Sequence, residues 1–274
     1  MSLAPKTSRT KDTRGTLSQN CPKKFHLNTE PRHKCRSILF VTGAGISSDS
    51  GLPTYRGIGG LYDVEATEEG LPIEEILSEP MMRSNPRLTW KYLVHIADAA
   101  RGATYNRAHE VIAEMERHFP RVWTLTQNID GFHRLAGSRN VIEIHGNMRS
   151  LSCTKCPFRQ TVDDSTRLEI PPRCPDCDAV LRPDVVLFEE TLPEEAVRRL
   201  RREWDVGFGA VFSVGTSSVF PYIQEPMVAA RRMGVPTVEI NPSETVVSAY
   251  ADYRLPLGAA QALHEIWIRY SETD

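Results

Sequence analysis

The chain has 274 residues, 40 % of them hydrophobic and 25 % charged, with a formal net charge of -2 at pH 7. That is enough to bury one large core carrying a smaller insert, and the even charge balance excludes a global electrostatic pull toward nucleic acid or anionic membranes. No apolar run reaches the roughly 20 residues a membrane-spanning helix needs, and the amino terminus lacks the apolar core of a secretory signal.

Residues 1–36 form a polar segment in which Lys6, Arg9, Lys11, Arg14, Lys23, Lys24, Arg32, Lys34 and Arg36 face only Asp12 and Glu30. Such a segment has too little apolar surface to offset its ordering entropy and is expected to be a disordered tail; a targeting peptide or an anion-docking arm is the alternative. Ordered structure is expected to start with the strand Ser37–Thr42, which ends in the tight turn Gly43-Ala44-Gly45. From 57 to 105 the pattern predicts a loop containing Gly57-Ile58-Gly59-Gly60 and then a helix over Trp90 to Ala100. A helix over Ala108 to Phe119, strands at Val122–Thr126 and Val141–Ile144, a helix over Pro193 to Trp204, a strand at Ala210–Val214, a helix over Tyr222 to Met233 and a strand at Thr237–Ile240 complete the order.

The strands are apolar on both faces, as buried parallel strands are, and their alternation with helices predicts an α/β fold with a doubly wound, Rossmann-like parallel sheet. Two segments, 37–147 and 183–274, are assigned to this sheet domain. Residues 148–182 interrupt the alternation with Pro171-Pro172 and Pro175 and with two Cys-x-x-Cys pairs, Cys153/Cys156 and Cys174/Cys177. Two such pairs read as a structural zinc site, closed to water because four thiolates complete the tetrahedron. Metal spacing of four cysteines, with Cys21 and Cys35 offering no disulfide framework, argues for a reducing, cytoplasmic setting; the basic tail leaves organellar targeting open.

Several polar groups fall at predicted strand ends, where doubly wound sheets bind ligands. Gly43-Ala44-Gly45-Ile46-Ser47-Ser48 follows the first strand in the manner of a phosphate-cradling turn leading to a helix N-terminus, although Ser48 stands where a third glycine is usual. Gln127, Asn128, Ile129 and Asp130 follow the second strand of the sheet and His145 the third, so His145, Asn128 and Asp130 are expected to face one crevice, with His145 as a general base.

The run Gly43 to Arg56, Thr126-Gln127-Asn128-Ile129-Asp130, Ile144-His145-Gly146, Gly215-Thr216-Ser217 and Glu239-Ile240-Asn241-Pro242, with the zinc cysteines among them, resembles the sirtuins over about residues 37 to 268. Sirtuins are NAD-dependent protein lysine deacylases, and the resemblance implies that the acyl oxygen of a modified lysine attacks C1′ of the nicotinamide ribose as nicotinamide leaves. His145 would then deprotonate a ribose hydroxyl, so that O-acyl-ADP-ribose is formed. It further implies that Gly43, Ala44, Gly45, Ser47 and Arg56 contact the cofactor, that Tyr55 walls the nicotinamide pocket, and that Gln127, Asn128, Ile129 and Asp130 orient the nicotinamide and its ribose. Gly215, Thr216, Ser217 and Asn241 would hold the adenosine side, Ala259 would border adenine, and the strip Val186 to Glu189, with Val186, Phe188 and Glu189 as contacts, would pair with the substrate peptide. Acyl-lysine proteins are the implied partners, with no specific nucleic acid and no membrane.

Three departures from the family pattern matter. The Tyr-x-x-Arg pair of desuccinylase-like sirtuins falls on Leu93 and Ile96, and one residue earlier on Tyr92 and His95, so acetyl or longer apolar acyl groups are expected over succinyl or malonyl. Glu189 stands where glycine is usual, and Thr54 where many members have aspartate. Protein ADP-ribosyl transfer from the same NAD site, a non-catalytic NAD-sensing module and a zinc-ribbon nucleic-acid binder are the competing readings.

Overall fold

The computed structural model describes residues 36–54, 67–162 and 168–272. The expectations for the basic tail up to residue 35, for Tyr55 and Arg56, and for the Gly57-Ile58-Gly59-Gly60 loop lie outside these residues.

Six strands, β1 (Ser37–Thr42), β2 (Arg121–Thr126), β3 (Val141–Glu143), β7 (Ala210–Val214), β8 (Thr237–Ile240) and β9 (Tyr253–Leu255), form one parallel sheet in the order β3-β2-β1-β7-β8-β9. Period-two alternation sorts β1 between two cores. Phe40 packs with Val122, Phe212 and Val238 beneath α4 (Arg107–His118) and α8 (Ala259–Ser271), whereas Leu39 and Val41 pack with Leu125 and Val211 beneath α6 (Glu194–Val206) and α7 (Pro221–Arg232). Helices on both faces make the sheet doubly wound, as expected. The strand order reverses between β1 and β7, which opens a crevice at their carboxyl ends.

Helix α4 is set by Asn106, which accepts from Ala108 N at 2.9 Å while His109 Nδ1 accepts from Asn106 N at 3.2 Å, a reciprocal cap. Gly234, at φ +70°, follows α7 and supplies the left-handed turn before β8.

The smaller sheet is antiparallel, β5 (Arg159–Thr161), β4 (Gly146–Cys153) and β6 (Leu181–Val185) in that order. It shares its core with the segment between β1 and β2 that folds as α1 (Ile73–Ile76), α2 (Glu79–Ser84) and α3 (Pro86–Ala99). Trp90, Leu93, Leu151 and Leu181 are all buried together, and the Trp90 indole donates to the Leu181 carbonyl at 2.9 Å. The two interruptions of the α/β pattern therefore meet in one apolar cluster.

Candidate active site and metal centre

The glycine turn after β1 does not open an α-helix. Two successive 3-10 turns follow, Ala44–Ile46 and Ser48–Ser50, so the expected helix N-terminus is replaced by a tighter coil. The glycines are needed because this loop lies against the one after β7: Gly45 N donates to Gly215 O at 2.8 Å. A Cβ on Gly43 would sit 2.7 Å from Thr216 Cβ, and one on Gly215, at φ +59°, 2.4 Å from the Gly45 carbonyl carbon. Asn106 braces the same loop, its amide donating to Ile46 O at 2.8 Å and to Ser50 Oγ at 2.9 Å.

Ser47, Asn128 and Asp130 meet at the ends of β1 and β2. The Ser47 hydroxyl donates to Asp130 at 2.8 Å and accepts from the Asn128 amide at 3.2 Å, while Phe132 N donates to the other Asp130 oxygen at 2.9 Å. Desolvation in the crevice pushes the Asp130 carboxyl above its usual range, and these hydrogen bonds oppose the shift. Gln127 reaches across to Thr216 Oγ1 at 2.8 Å and ties the β2 and β7 loops together. Ile129 turns into the apolar cluster of the smaller unit.

His145 follows β3, with its Nδ1 3.1 Å from the Gln127 carbonyl oxygen. A carbonyl only accepts, so Nδ1 carries a proton. Burial lowers the His145 pKa below 6.5 despite this bond, so the neutral ring presents its lone pair at Nε2, where the Tyr222 hydroxyl lies 2.7 Å away and donates. The backbone oxygen of His145 accepts from Val186 N at 2.9 Å. Gly146 turns the chain away at φ +81°, where a Cβ would fall 1.8 Å from Asp184 O.

The remaining expected residues are placed less uniformly. Thr216 is buried, its hydroxyl also accepting from Ser218 N at 3.1 Å, whereas Ser217 is exposed. Asn241 donates to Thr216 O at 3.2 Å and so joins the β7 loop. Ala259 opens α8 with its methyl buried in the same core cluster as Ile46, which gives it packing rather than a polar contact. Phe188 commits both backbone groups to the α1–α2 junction, donating to Leu77 O at 2.9 Å and accepting from Glu79 N at 3.0 Å. Glu189 is exposed at φ +68°.

Tyr222, Asn106 and Thr42, whose hydroxyl lies 3.0 Å from His133 Nε2, escaped the sequence reading. Asn106 carried a signal in its Asn-x-x-His spacing ahead of a helix; Tyr222, outside every recognised motif, carried none.

In the smaller unit the Sγ atoms of Cys153, Cys156, Cys174 and Cys177 lie within 4.8 Å of one another, with pairs at 3.5 Å for Cys153/Cys177 and Cys156/Cys174. These separations are too long for disulfides, near 2.05 Å, and suit four thiolates about a tetrahedral zinc at roughly 2.3 Å. Backbone amides of Lys155 and Cys156 donate to the Cys153 sulfur at 3.3 and 3.4 Å, as a thiolate ligand requires. The donor set fits structural zinc and leaves no position for a reactant.

A doubly wound sheet whose glycine turns and ribose-matching polar groups meet at its switch point, braced by a four-cysteine metal module, defines a dinucleotide-binding α/β protein. The Sir2 family model matches residues 43–221. NAD-dependent protein deacylase 2 of Pseudomonas aeruginosa is 51 % identical over 225 residues, covering 81 % of this chain and 88 % of that protein. The NAD-dependent protein deacylase of Aquifex aeolicus is 36 % identical over 235 residues, covering 84 % and 94 %. Among solved structures, a Sir2 homolog–NAD complex superposes with a TM-score of 0.77 at 33 % identity, covering 87 % of this chain and 90 % of that one. The chain belongs to the Sir2 family.

Proposed function

We propose that this protein removes acyl groups from protein lysines with NAD as cosubstrate, releasing nicotinamide and O-acyl-ADP-ribose. The observation that carries the reading is the hydrogen-bonded cluster of Ser47, Asn128 and Asp130 at the carboxyl ends of β1 and β2, with His145, kept neutral by burial, held through Nδ1 to the Gln127 carbonyl of the same segment. The relatives named above are NAD-dependent protein deacylases, and NAD is bound in the Sir2 homolog superposed on this fold.

The crevice suits a dinucleotide by its chemistry: glycine turns packed without side chains allow close approach to the backbone, and a carboxylate, an amide and hydroxyls match ribose hydroxyls. When bound, NAD supplies the electrophilic ribose carbon and the hydroxyl that receives the acyl group. Ser47, Asn128 and Asp130 orient that ribose, and His145 Nε2 takes the proton of its hydroxyl. Gly43, Ala44, Gly45, Gln127 and Ile129 line the same end, Gly215, Thr216, Ser217 and Asn241 hold the adenosine end, and the strip from Val186 to Glu189 lies beside the acyl-lysine peptide. The four cysteines hold zinc, which contributes folding energy to the smaller unit that includes residues 148–182.

Acetyl or longer apolar acyl groups are the preferred cargo. Leu93 is buried and Ile96 half-buried in an apolar cluster that also holds Ile129, Leu187 and Phe188, and the Tyr92 hydroxyl already donates to Glu69, so none of Leu93, Ile96 and Tyr92 is poised for a carboxylate tail, and His95 is exposed. Free thiols at all four metal positions fit a reducing cytoplasm; among the described residues no helix is long and apolar enough to cross a membrane.

The test is an acyl-lysine peptide panel incubated with NAD and read by mass spectrometry. O-acyl-ADP-ribose with deacylated peptide is expected, and His145→Ala should abolish it. ADP-ribose added to protein instead would identify a transferase, and faster turnover of succinyl-lysine than acetyl-lysine would overturn the acyl preference.

A further inference from the structure

Tyr222 stands at the second position of α7, after Pro221. Its ring stacks on Phe220 with 5.5 Å between centroids and 14° between planes, and both rings stand edge-on to the imidazole of His145, with centroids 6.0 and 5.9 Å from it. Desolvation pushes the phenol up to about 12, so it remains a donor throughout the neutral range, and its donation ends at Nε2, 2.7 Å away.

An imidazole nitrogen has one lone pair in the ring plane, so Nε2 accepts from one donor at a time. A hydroxyl that gives its proton to His145 must approach the same lone pair within about 3 Å. The Tyr222 phenol and the reacting hydroxyl are therefore mutually exclusive partners. His145 does not depend on Tyr222 for its orientation: the Gln127 carbonyl fixes Nδ1 and the Val186 amide anchors its backbone. The phenol thus blocks the base more than it positions it.

Resting on the reading of His145 as the general base, we propose that Tyr222 is a latch. In the free enzyme its hydroxyl closes off Nε2, and the nicotinamide-ribose hydroxyl displaces it when the cosubstrate binds. The half-buried phenol then turns its hydrogen bond to water, and the base is unmasked only in the loaded site. Affinity for the cosubstrate is lowered by the strength of the bond that must break.

Tyr222→Phe keeps the ring stack and removes only the hydroxyl. Calorimetry should show ADP-ribose and NAD binding about fivefold more tightly, the worth of one neutral hydrogen bond, and the KM for NAD should fall in step. Imidazole 15N spectra of the free enzyme should show the His145 Nε2 resonance shifted in the variant, with the difference from wild type lost on adding ADP-ribose. In a His145→Ala background the same substitution should change ADP-ribose affinity by less than twofold, because the latch has no partner there.

Dissociation constants for ADP-ribose and NAD unchanged within twofold by Tyr222→Phe alone, with His145 intact, would overturn the proposal. A more than tenfold fall in kcat would also overturn it, placing the phenol in the proton path as a relay. Retained turnover in His145→Ala alone would remove the underlying reading of the base, whereas loss of turnover there with unchanged Tyr222→Phe affinities would remove only the latch.

Discussion

As the proposed general base, His145 would work only while its ring is neutral, and burial among Gln127, Phe220 and Tyr222 favours that form. Protonation as pH falls through the lowered pKa removes the base, so the acid limb of kcat/KM should have its midpoint below pH 6.5. A midpoint at or above 6.5 in a pH–rate profile would contradict the burial argument. Two backbone positions have opposite requirements. Gly146, at φ +81° with Asp184 O where a Cβ would go, admits no side chain, and Gly146→Ala should lose at least about 2 kcal/mol in urea unfolding. Glu189 holds a left-handed φ of +68° with a side chain. Glu189→Gly should gain roughly 1 kcal/mol and, by clearing the proposed peptide strip, lower the peptide KM; an unchanged or higher KM would detach Glu189 from that strip.

The metal module and helices α1 to α3 form one structural element, because Cys174 is buried in the cluster that contains Trp90, Leu93 and Leu181. Removing zinc with a chelator, or replacing Cys174 by Ser, should therefore open this whole unit to proteolysis and abolish turnover in parallel, with both restored to the chelated protein by added zinc. Protease resistance retained with turnover lost would place the metal in the chemistry. This element also marks where the sequence could be read and where it could not. Five strands of the large sheet were legible because runs such as Leu39-Phe40-Val41 are apolar on both faces, whereas the edge strand β9, largely exposed, carried no such run; the cysteines were legible because metal spacing is specific. The shared core was not legible, since the Trp90 to Leu181 hydrogen bond joins residues far apart in the chain and neither segment has a period that points to the other. At the site, Asn128, Asp130 and His145 could be found as polar residues at strand ends, and Ser47 through the family resemblance of the glycine loop after β1. Tyr222 could not, because its contact with His145 depends on how α7 starts after the β7 loop, and the helix expected after Gly45 gave way to 3-10 turns set by the packing of Gly45 on Gly215.

At the scale of the whole molecule, two further histidines couple the crevice to acid stability. His109 in α4 and His133 in α5 (Phe132–Leu135) are buried with ring centroids 4.9 Å apart. Among the described residues His109 Nε2 and His133 Nδ1 have no hydrogen-bond partner, so neither ring gains a compensating contact there on protonation. Burial lowers the His109 pKa from 6.5 to about 4 and holds that of His133 well below 6.5. The unfolded chain therefore binds more protons than the folded one as pH falls from 6.5 toward 4, so stability is level with respect to this pair above 6.5 and is lost across that window. For His109 alone the loss is on the order of 3 kcal/mol. His109→Gln retains a side chain able to accept from the Asn106 amide in the capping box and does not titrate. Urea unfolding of this variant between pH 7 and 4 should show a flatter decline than the parent protein, while the acid limb of turnover set by His145 stays in place. A variant whose stability falls as steeply as the parent's would show that the buried pair is not what acid attacks.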